Sequence, residues 1–259
     1  MSGSLTIERR NNLAQILLSE GSVKVGQLAS RFGVSTETIR KDLIYLERKG
    51  IATKGHGGAI VSSSILTTEQ PLLRKTSEKL EIKNQIARAA TDLIPERGVV
   101  ILDTGSTSQC LAQALSSMSN LTIITNALNV VQSLSGTAND VFMLGGKFNS
   151  FSLAMVGHWG VNILKSINAD IVFLGADGLS GRNGPCTASY DEAEIKKEMV
   201  RCASTRVVIS DSTKFSSSGL FQFSSWDDID YLITDSDIPE EEYAELRTLT
   251  NVIIVEKTA

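Results

Sequence analysis

The stretch Val34-Ser35-Thr36-Glu37-Thr38-Ile39-Arg40-Lys41-Asp42-Leu43 has the pattern of the turn and second helix of a helix-turn-helix. Ser35 or Thr36 is its N-cap, because a short hydroxyl satisfies an orphan amide of the first turn. Ile39, Leu43 and Leu46 follow at i, i+4 and i+7 and share one face. At about 100° per residue, Lys41 and Arg48 fall on the opposite face, with Thr38 and Arg40 on its flanks. One side is shaped for a core and the other for an anion. The rest of the chain is expected to control this helix.

Working outward, a first helix is expected over residues 7–20, with Leu13, Ile16 and Leu17 on one face and Gly21 as its stop. A second begins near Val25, where Val25, Leu28, Ala29 and Phe32 make a stripe at i, i+3, i+4 and i+7, and Gly33 turns the chain. The third helix runs to Lys49-Gly50. Residues 51–54 and 59–61 then flank Gly55-His56-Gly57-Gly58, a β-hairpin with a glycine-rich tip. Three short amphipathic helices and a hairpin predict a small winged helix-turn-helix over residues 1–61. Thr36, Thr38, Arg40 and Lys41 are placed to reach bases or phosphates in the major groove of double-stranded DNA. Lys54 and His56 on the wing meet the backbone or the minor groove. Ser35 and Arg48 complete the DNA-binding set. Ile44, on the exposed face, touches either a thymine methyl or a partner subunit.

Charge is unevenly spread. Residues 1–61 hold nine Lys/Arg against five Asp/Glu, and the remainder hold 16 against 24, within a net charge of −4. A basic head on an acidic body is what results when only the head meets a polyanion. No run is long and apolar enough for a membrane span, and no N-terminal signal pattern occurs, so a cytoplasmic protein with no membrane partner is expected. Cys110, Cys186 and Cys202 have no metal-ligand spacing and read as reduced thiols. With two histidines in the chain, His56 and His158, a multi-histidine metal site is excluded. No metal or cofactor is expected.

After residue 61 the polar stretch to residue 77 reads as a linker. Residues 78–94 have a helical pattern ending at Pro95. Beyond them short apolar, β-branched strands are expected over 99–102, 121–125, 141–144, 171–174, 207–209, 231–234 and 252–255. Helices are expected between them, over 108–115, 127–134, 161–165, 190–203 and 240–249. This alternation predicts an α/β domain over residues 78–259 with a mostly parallel sheet covered on both faces. Ligands of such sheets sit at the carboxyl ends of the strands. Polar loops follow nearly every one: Asp103-Thr104-Gly105-Ser106-Thr107-Ser108, Thr125-Asn126, Gly145-Gly146-Lys147, Gly175-Ala176-Asp177-Gly178 and Asp211-Ser212-Thr213-Lys214. The first has small residues and hydroxyls at a helix start, an anion cradle. The mixture suits a small phosphorylated polyol: amides, hydroxyls and lysine for the phosphate, carboxylates and Asn126 for the hydroxyls. Turn chemistry alone also selects such residues. There is no G-x-G-x-x-G and no phosphate-binding P-loop pattern. Cys110 reads as helix packing and His158 as structural.

These residues resemble the DeoR family of bacterial sugar-operon regulators over nearly the whole chain. In the head the resemblance lies in Val34-Ser35, in Thr38 through Leu43, in Leu46-Glu47, Gly50 and His56-Gly57-Gly58-Ala59. In the body it lies in Asp103 through Thr107, Thr125-Asn126, Gly145-Gly146, Asp211-Ser212, Lys214-Phe215, Ile229-Asp230 and Thr234-Asp235. It implies a repressor of a carbohydrate-utilisation operon, released from its operator by a phosphorylated sugar. It also implies a C-terminal domain similar to the ribose-phosphate isomerase and glucosamine-phosphate deaminase folds. It places the phosphate at Gly105, Ser106 and Thr107 and sugar contacts at Asp103, Asn126, Asp177 and Lys214. Thr125, Gly146 and Lys147 extend this effector-binding set, and Glu192 is a further rim candidate. Residues 184–193 look closest to the family's amino-sugar, tagatose and galactitol regulators, although Ser189 stands where an Asn is common there.

An enzyme with a DNA-binding head, a sugar-phosphate isomerase or deaminase, is the alternative from another class. It needs a general base with a matched second acid–base group. Asp177 or Glu192 supplies a base, but no convincing pair stands out, so no catalysis is expected. An activator is the other alternative. Two-fold operator half-sites imply a homodimer or homotetramer.

Overall fold

The computed structural model describes residues 6, 9, 10, 12, 13, 16, 17, 22–48, 52–55, 57–61, 72–181 and 183–256. In the head, residues 6, 9, 10, 12, 13, 16 and 17 are helical, followed by the helices Val25–Phe32 and Thr36–Arg48. Leu13, Leu17, Leu28, Ile39, Leu43 and Leu46 form one buried cluster, as the i, i+3, i+4 spacing requires. Three strands make the wing: β1 (Ser22–Lys24), β2 (Ala52–Gly55) and β3 (Gly58–Val61), in the order β1-β3-β2, all antiparallel. The strand β1 was not expected from the sequence, being only three residues long. Gly58 lies against it so closely that a Cβ there would collide with the Val23 carbonyl.

The remaining chain builds a seven-stranded sheet from β4 (Gly98–Leu102), β5 (Leu121–Thr125), β6 (Asp140–Met143), β9 (Ala169–Leu174), β11 (Ala203–Ile209), β13 (Tyr231–Asp235) and β14 (Asn251–Val255). Its order is β14-β13-β11-β9-β4-β5-β6 and every pairing is parallel. Side chains alternate along each strand. Val100 and Leu102 therefore face one core with Ile86 and Leu111, while Ile101 faces the other with Ile195 and Met199. Two short hairpin pairs lie outside this sheet: β7 (Lys147–Asn149) with β8 (Ala154–Val156), and β10 (Cys186–Thr187) with β12 (Phe221–Gln222). No helix of the described residues is long and apolar enough to cross a membrane.

The linker expected over 62–77 is not featureless. Its last six residues, Leu72–Ser77, form a helix, and Leu72 is buried. The helical pattern expected over 78–94 is realised as Leu80–Thr91. The two helices are separated at Lys79, whose φ of 54° is left-handed and breaks the helical repeat.

Candidate functional site

The head divides its cations into two uses. Asp42, on the buried face of the Thr36–Arg48 recognition helix, accepts from Arg9 Nε at 2.7 Å and from Arg10 Nε at 2.9 Å. Arg10 also stacks over the Tyr45 ring, 4.0 Å from its centroid. Those two arginines, part of the head's positive count, are therefore tied up in holding its helices together. Thr36, Arg40, Lys41, Arg48 and Lys54 are exposed, and Thr38 is half-buried. Ser35 is the N-cap: its Oγ accepts from the Thr38 amide at 3.1 Å and shares a 2.8 Å hydrogen bond with the Thr38 hydroxyl. Ser35 thereby presets the first turn from which Thr38 projects. Glu47 accepts from the Lys54 amide at 3.3 Å and ties the wing to the helix. His56 lies outside the described residues.

In the large domain, β4 has β5 on one side and β9 on the other, so strand order reverses there. Such a reversal opens a crevice at the carboxyl ends of the strands. A cavity of about 440 Å³ occupies it, walled by the loops after β4, β9 and β11, by the Tyr190–Cys202 helix and by the segment from Leu72 to Lys83. Gly105 (φ 144°) lets the chain turn directly from β4 into the Ser106–Leu115 helix, whose N-terminus faces the cavity. The fully buried Ser108 Oγ on that first turn has no hydrogen-bond partner among the described residues. A buried hydroxyl lining a cavity in this state is suited to a ligand.

Behind this turn the fully buried Asp103 carboxylate meets the Lys196 ammonium and accepts from the Gly175 amide at 3.0 Å. Lys196 also donates to the Gly175 carbonyl at 3.0 Å, which clamps the ends of β4 and β9 to the Tyr190–Cys202 helix. Burial pushes the Asp103 carboxyl up, and Lys196 and the backbone amides work against that. Asp177 accepts from Lys75 Nζ at 2.7 Å, Thr187 Oγ1 at 2.9 Å and the Ala188 amide at 3.0 Å. Burial alone would raise its carboxyl, but the Lys75 ammonium and these donors hold it well below the usual range. Glu192, 4 % exposed, is pushed up to about 7 by burial and by the nearby Asp177 and Asp103 carboxylates, against the pull of Lys196.

The Thr187 hydroxyl lies between Asp177 and Glu192, 3.2 Å from Glu192 Oε2. It has one hydrogen, which the Asp177 carboxylate takes. Its contact with Glu192 is then complete only when Glu192 carries a proton to donate, the state that its raised pKa favours. Lys83, also buried, donates to the Lys75 and Glu78 carbonyls, each at 2.6 Å, and burial lowers its pKa. Lys214 lies on the short 3-10 turn Ser212–Ser216, capped by Asp211 and held by Asp235 through the Ser212 amide at 2.7 Å.

Of the effector residues expected from sequence, Gly105, Ser106, Thr107, Asp177 and Lys214 line the cavity, and Asp103 stands directly behind it. The other four lie off it. Thr125 is fully buried and its hydroxyl accepts from the Ala127 amide at 3.0 Å, a local turn bond. Asn126 is fully buried and donates to the Met155 carbonyl at 3.1 Å, pinning β8. Gly146 packs against the Val156 backbone, and Lys147 is 79 % exposed near Asp191. These loops follow β5 and β6, on the far side of the strand reversal. Sequence reasoning missed Lys75, Lys79, Lys83, Thr187 and Lys196. Lys196 carried a findable signal, since it lies four residues after Glu192 on one helix face. His158, read as structural, is exposed beside Asn162.

Comparison with known proteins places both halves. Residues 9–65 match the DeoR-like helix-turn-helix domain and residues 78–236 match the DeoR C terminal sensor domain. The putative aga operon transcriptional repressor of Escherichia coli O157:H7 is 34 % identical over 93 % of this chain and 91 % of its own length. The glycerol-3-phosphate regulon repressor of Escherichia coli K12 is 28 % identical over 90 % and 92 %. Ribose 5-phosphate isomerase A of Methanocaldococcus jannaschii is similar over 53 % of this chain and 55 % of its own, at 17 % identity and a TM-score of 0.38. With both domains matched in order, and with relatives that are regulators along nearly their full length, the chain belongs to the DeoR family of sugar-related transcriptional regulators, not to the enzymes.

Proposed function

We propose that this chain represses a carbohydrate-utilisation operon in the cytoplasm, and that a phosphorylated sugar in the cavity releases it from operator DNA. The observation that carries the reading is the cavity's lining, which combines cations and a helix N-terminus with carboxylates and hydroxyls. The Ser106–Leu115 helix N-terminus, Lys75, Lys83 and Lys214 all line the cavity, a set suited to a phosphate. Asp177, Thr187 and Glu192 line it too and offer oxygen acceptors to sugar hydroxyls. A relative named for a glycerol-3-phosphate regulon is in keeping with a phosphorylated polyol as the signal. The recognition helix presents Thr36, Thr38, Arg40 and Lys41 to the major groove, with Lys54 on the wing. Two copies on two-fold half-sites, as a homodimer or a pair of dimers, complete the binding unit.

The test is thermal unfolding of the full chain against phosphates of amino sugars, tagatose, galactitol and glycerol, beside the unphosphorylated compounds. A ligand at a hundred times its Kd stabilises by about 2.7 kcal/mol. A phosphate that stabilises, and also lowers affinity for a duplex selected by the chain from a random pool, fits the proposal. Stabilisation by the unphosphorylated compounds to the same extent contradicts it.

A further inference from the structure

One wall of the cavity is not part of the sheet. It is the Leu72–Ser77 helix and the turn after it, and Leu72, Lys75, Glu78 and Lys79 all line the cavity. This segment lies in the chain between the wing, which ends at Val61, and the sensor sheet. Several contacts hold it. The Leu72 amide donates to the Phe151 carbonyl at 2.7 Å, Lys83 caps its C-terminal end at the Lys75 and Glu78 carbonyls, and Lys75 Nζ bonds Asp177 at 2.7 Å. The last is made by a side chain of the segment to a residue expected to hold the ligand. Asp177 is thus shared between the ligand site and the chain that leads to the DNA-binding head.

We infer that Lys75 is the positioning residue through which cavity occupancy reaches the head. An ammonium does not leave a carboxylate in a half-buried site without a replacement partner for each. A phosphorylated polyol brings both: a phosphate of charge about −1.5 to −2 for Lys75, and hydroxyl donors for Asp177. A neutral sugar brings only the second. In the ligand-free protein the Lys75–Asp177 pair latches the Leu72–Ser77 helix and sets where the head stands. The ligand exchanges the pair for its own contacts and frees the helix. The inference rests on the cavity being the effector site.

The experiment uses the full chain with Lys75→Met and Lys75→Arg. Amide exchange of residues 72–77 is followed by mass spectrometry without any ligand, and operator affinity is measured with and without the panel phosphate that stabilises the wild type most. In K75M, exchange in residues 72–77 is expected to rise about tenfold while the sheet keeps its protection. Ligand affinity stays within about threefold, because the lost phosphate contact and the pair no longer broken offset each other. Ligand-free operator affinity falls about tenfold, a coupling of ordinary size, and ligand then changes it little. K75R, which keeps the charge, restores the ligand response. Unchanged exchange in K75M, a release equal to the wild type's, or loss of ligand binding altogether overturns the inference, the last reducing Lys75 to a plain ligand contact. If no phosphate in the panel stabilises the wild type, the effector reading fails, and the exchange measurement still decides whether Lys75 latches the helix.

Discussion

The recognition helix and the cavity are lined with the same side-chain types, and they treat charge in opposite ways. On the helix, Arg40 and Glu37 are 59 % and 65 % exposed and meet at 3.5 Å. Such a pair contributes little to stability, and its arginine can turn to a phosphate at small cost. In the cavity, Lys196 and Asp103 are 3 % and 0 % exposed, and neither can leave the other without stranding a buried charge. The head therefore reads DNA with charges that are loosely held and open to exchange with counterions. On the proposed reading, the sensor domain meets its ligand with some charges fixed in advance, Lys196 and Asp103, beside a pair that can exchange, Lys75 and Asp177. Asp42 marks the boundary, because it applies the cavity's solution inside the head: a buried carboxylate spends two arginines on packing.

The comparison breaks most visibly if the cavity's ion pairs prove dispensable. Asp103→Asn leaves the Lys196 ammonium buried without its carboxylate and should cost about 3–5 kcal/mol of folding stability, read from urea unfolding. A change below about 1 kcal/mol would mean that the pair is looser than its burial says. The double variant Asp103→Leu with Lys196→Met should recover much of the loss, since no charge is then stranded.

Glu192 sharpens the same contrast through pH. Its carboxyl is held at about 7 in the folded chain against 4.5 for the ordinary group. A raised folded value means that folding favours the proton. The associated stability is fully present below about pH 4.5 and is lost as pH rises through about 7. The loss is on the order of 3 kcal/mol across that window. Glu192→Gln, which keeps the shape and a donor for Thr187, should flatten this part of the profile in unfolding measured from pH 5 to 8. A wild-type curve level over that range would show that Glu192 is ionised throughout, and that the donor between it and Thr187 has been assigned the wrong way round.

The two regions also differ in how far they can be read before folding. The head is built from contacts close in sequence, so the stripes at Val25–Phe32 and Ile39–Leu46, the Gly33 turn and a cap at Ser35 or Thr36 were all legible. Alternating apolar strands gave the seven-stranded sheet, and the loop Asp103–Ser108 declared itself by a glycine between a strand and two hydroxyls. The cavity's remaining lining could not be read in this way. Lys75 and Asp177 are 102 positions apart, and Lys196 and Asp103 are 93 apart. Partners at such separations leave no periodic trace in one chain. Every strand end carried turn residues, so Thr125, Asn126, Gly146 and Lys147 looked like Asp177 and Lys214. Only the strand order β9-β4-β5 separates the loops that face the crevice from those that do not.

The smallest effect on folding is expected where the charge is most exposed. Lys41 lies on the open face of the recognition helix, one residue before the buried Asp42 and away from the Ile39, Leu43, Leu46 stripe. Lys41→Ala should change stability by no more than about 0.5 kcal/mol, as for a surface position without packing. If Lys41 meets a phosphate, the slope of log affinity against log salt for operator DNA should fall by about 0.9, the share of one neutralised phosphate. The ligand response should be untouched, because Lys41 has no part in the cavity. An unchanged salt slope with weaker binding to the selected operator alone would move Lys41 from backbone contact to base reading. An unchanged affinity would remove it from the interface and shift the task to Arg40 and Lys54, exposed cations that line the groove between helix and wing.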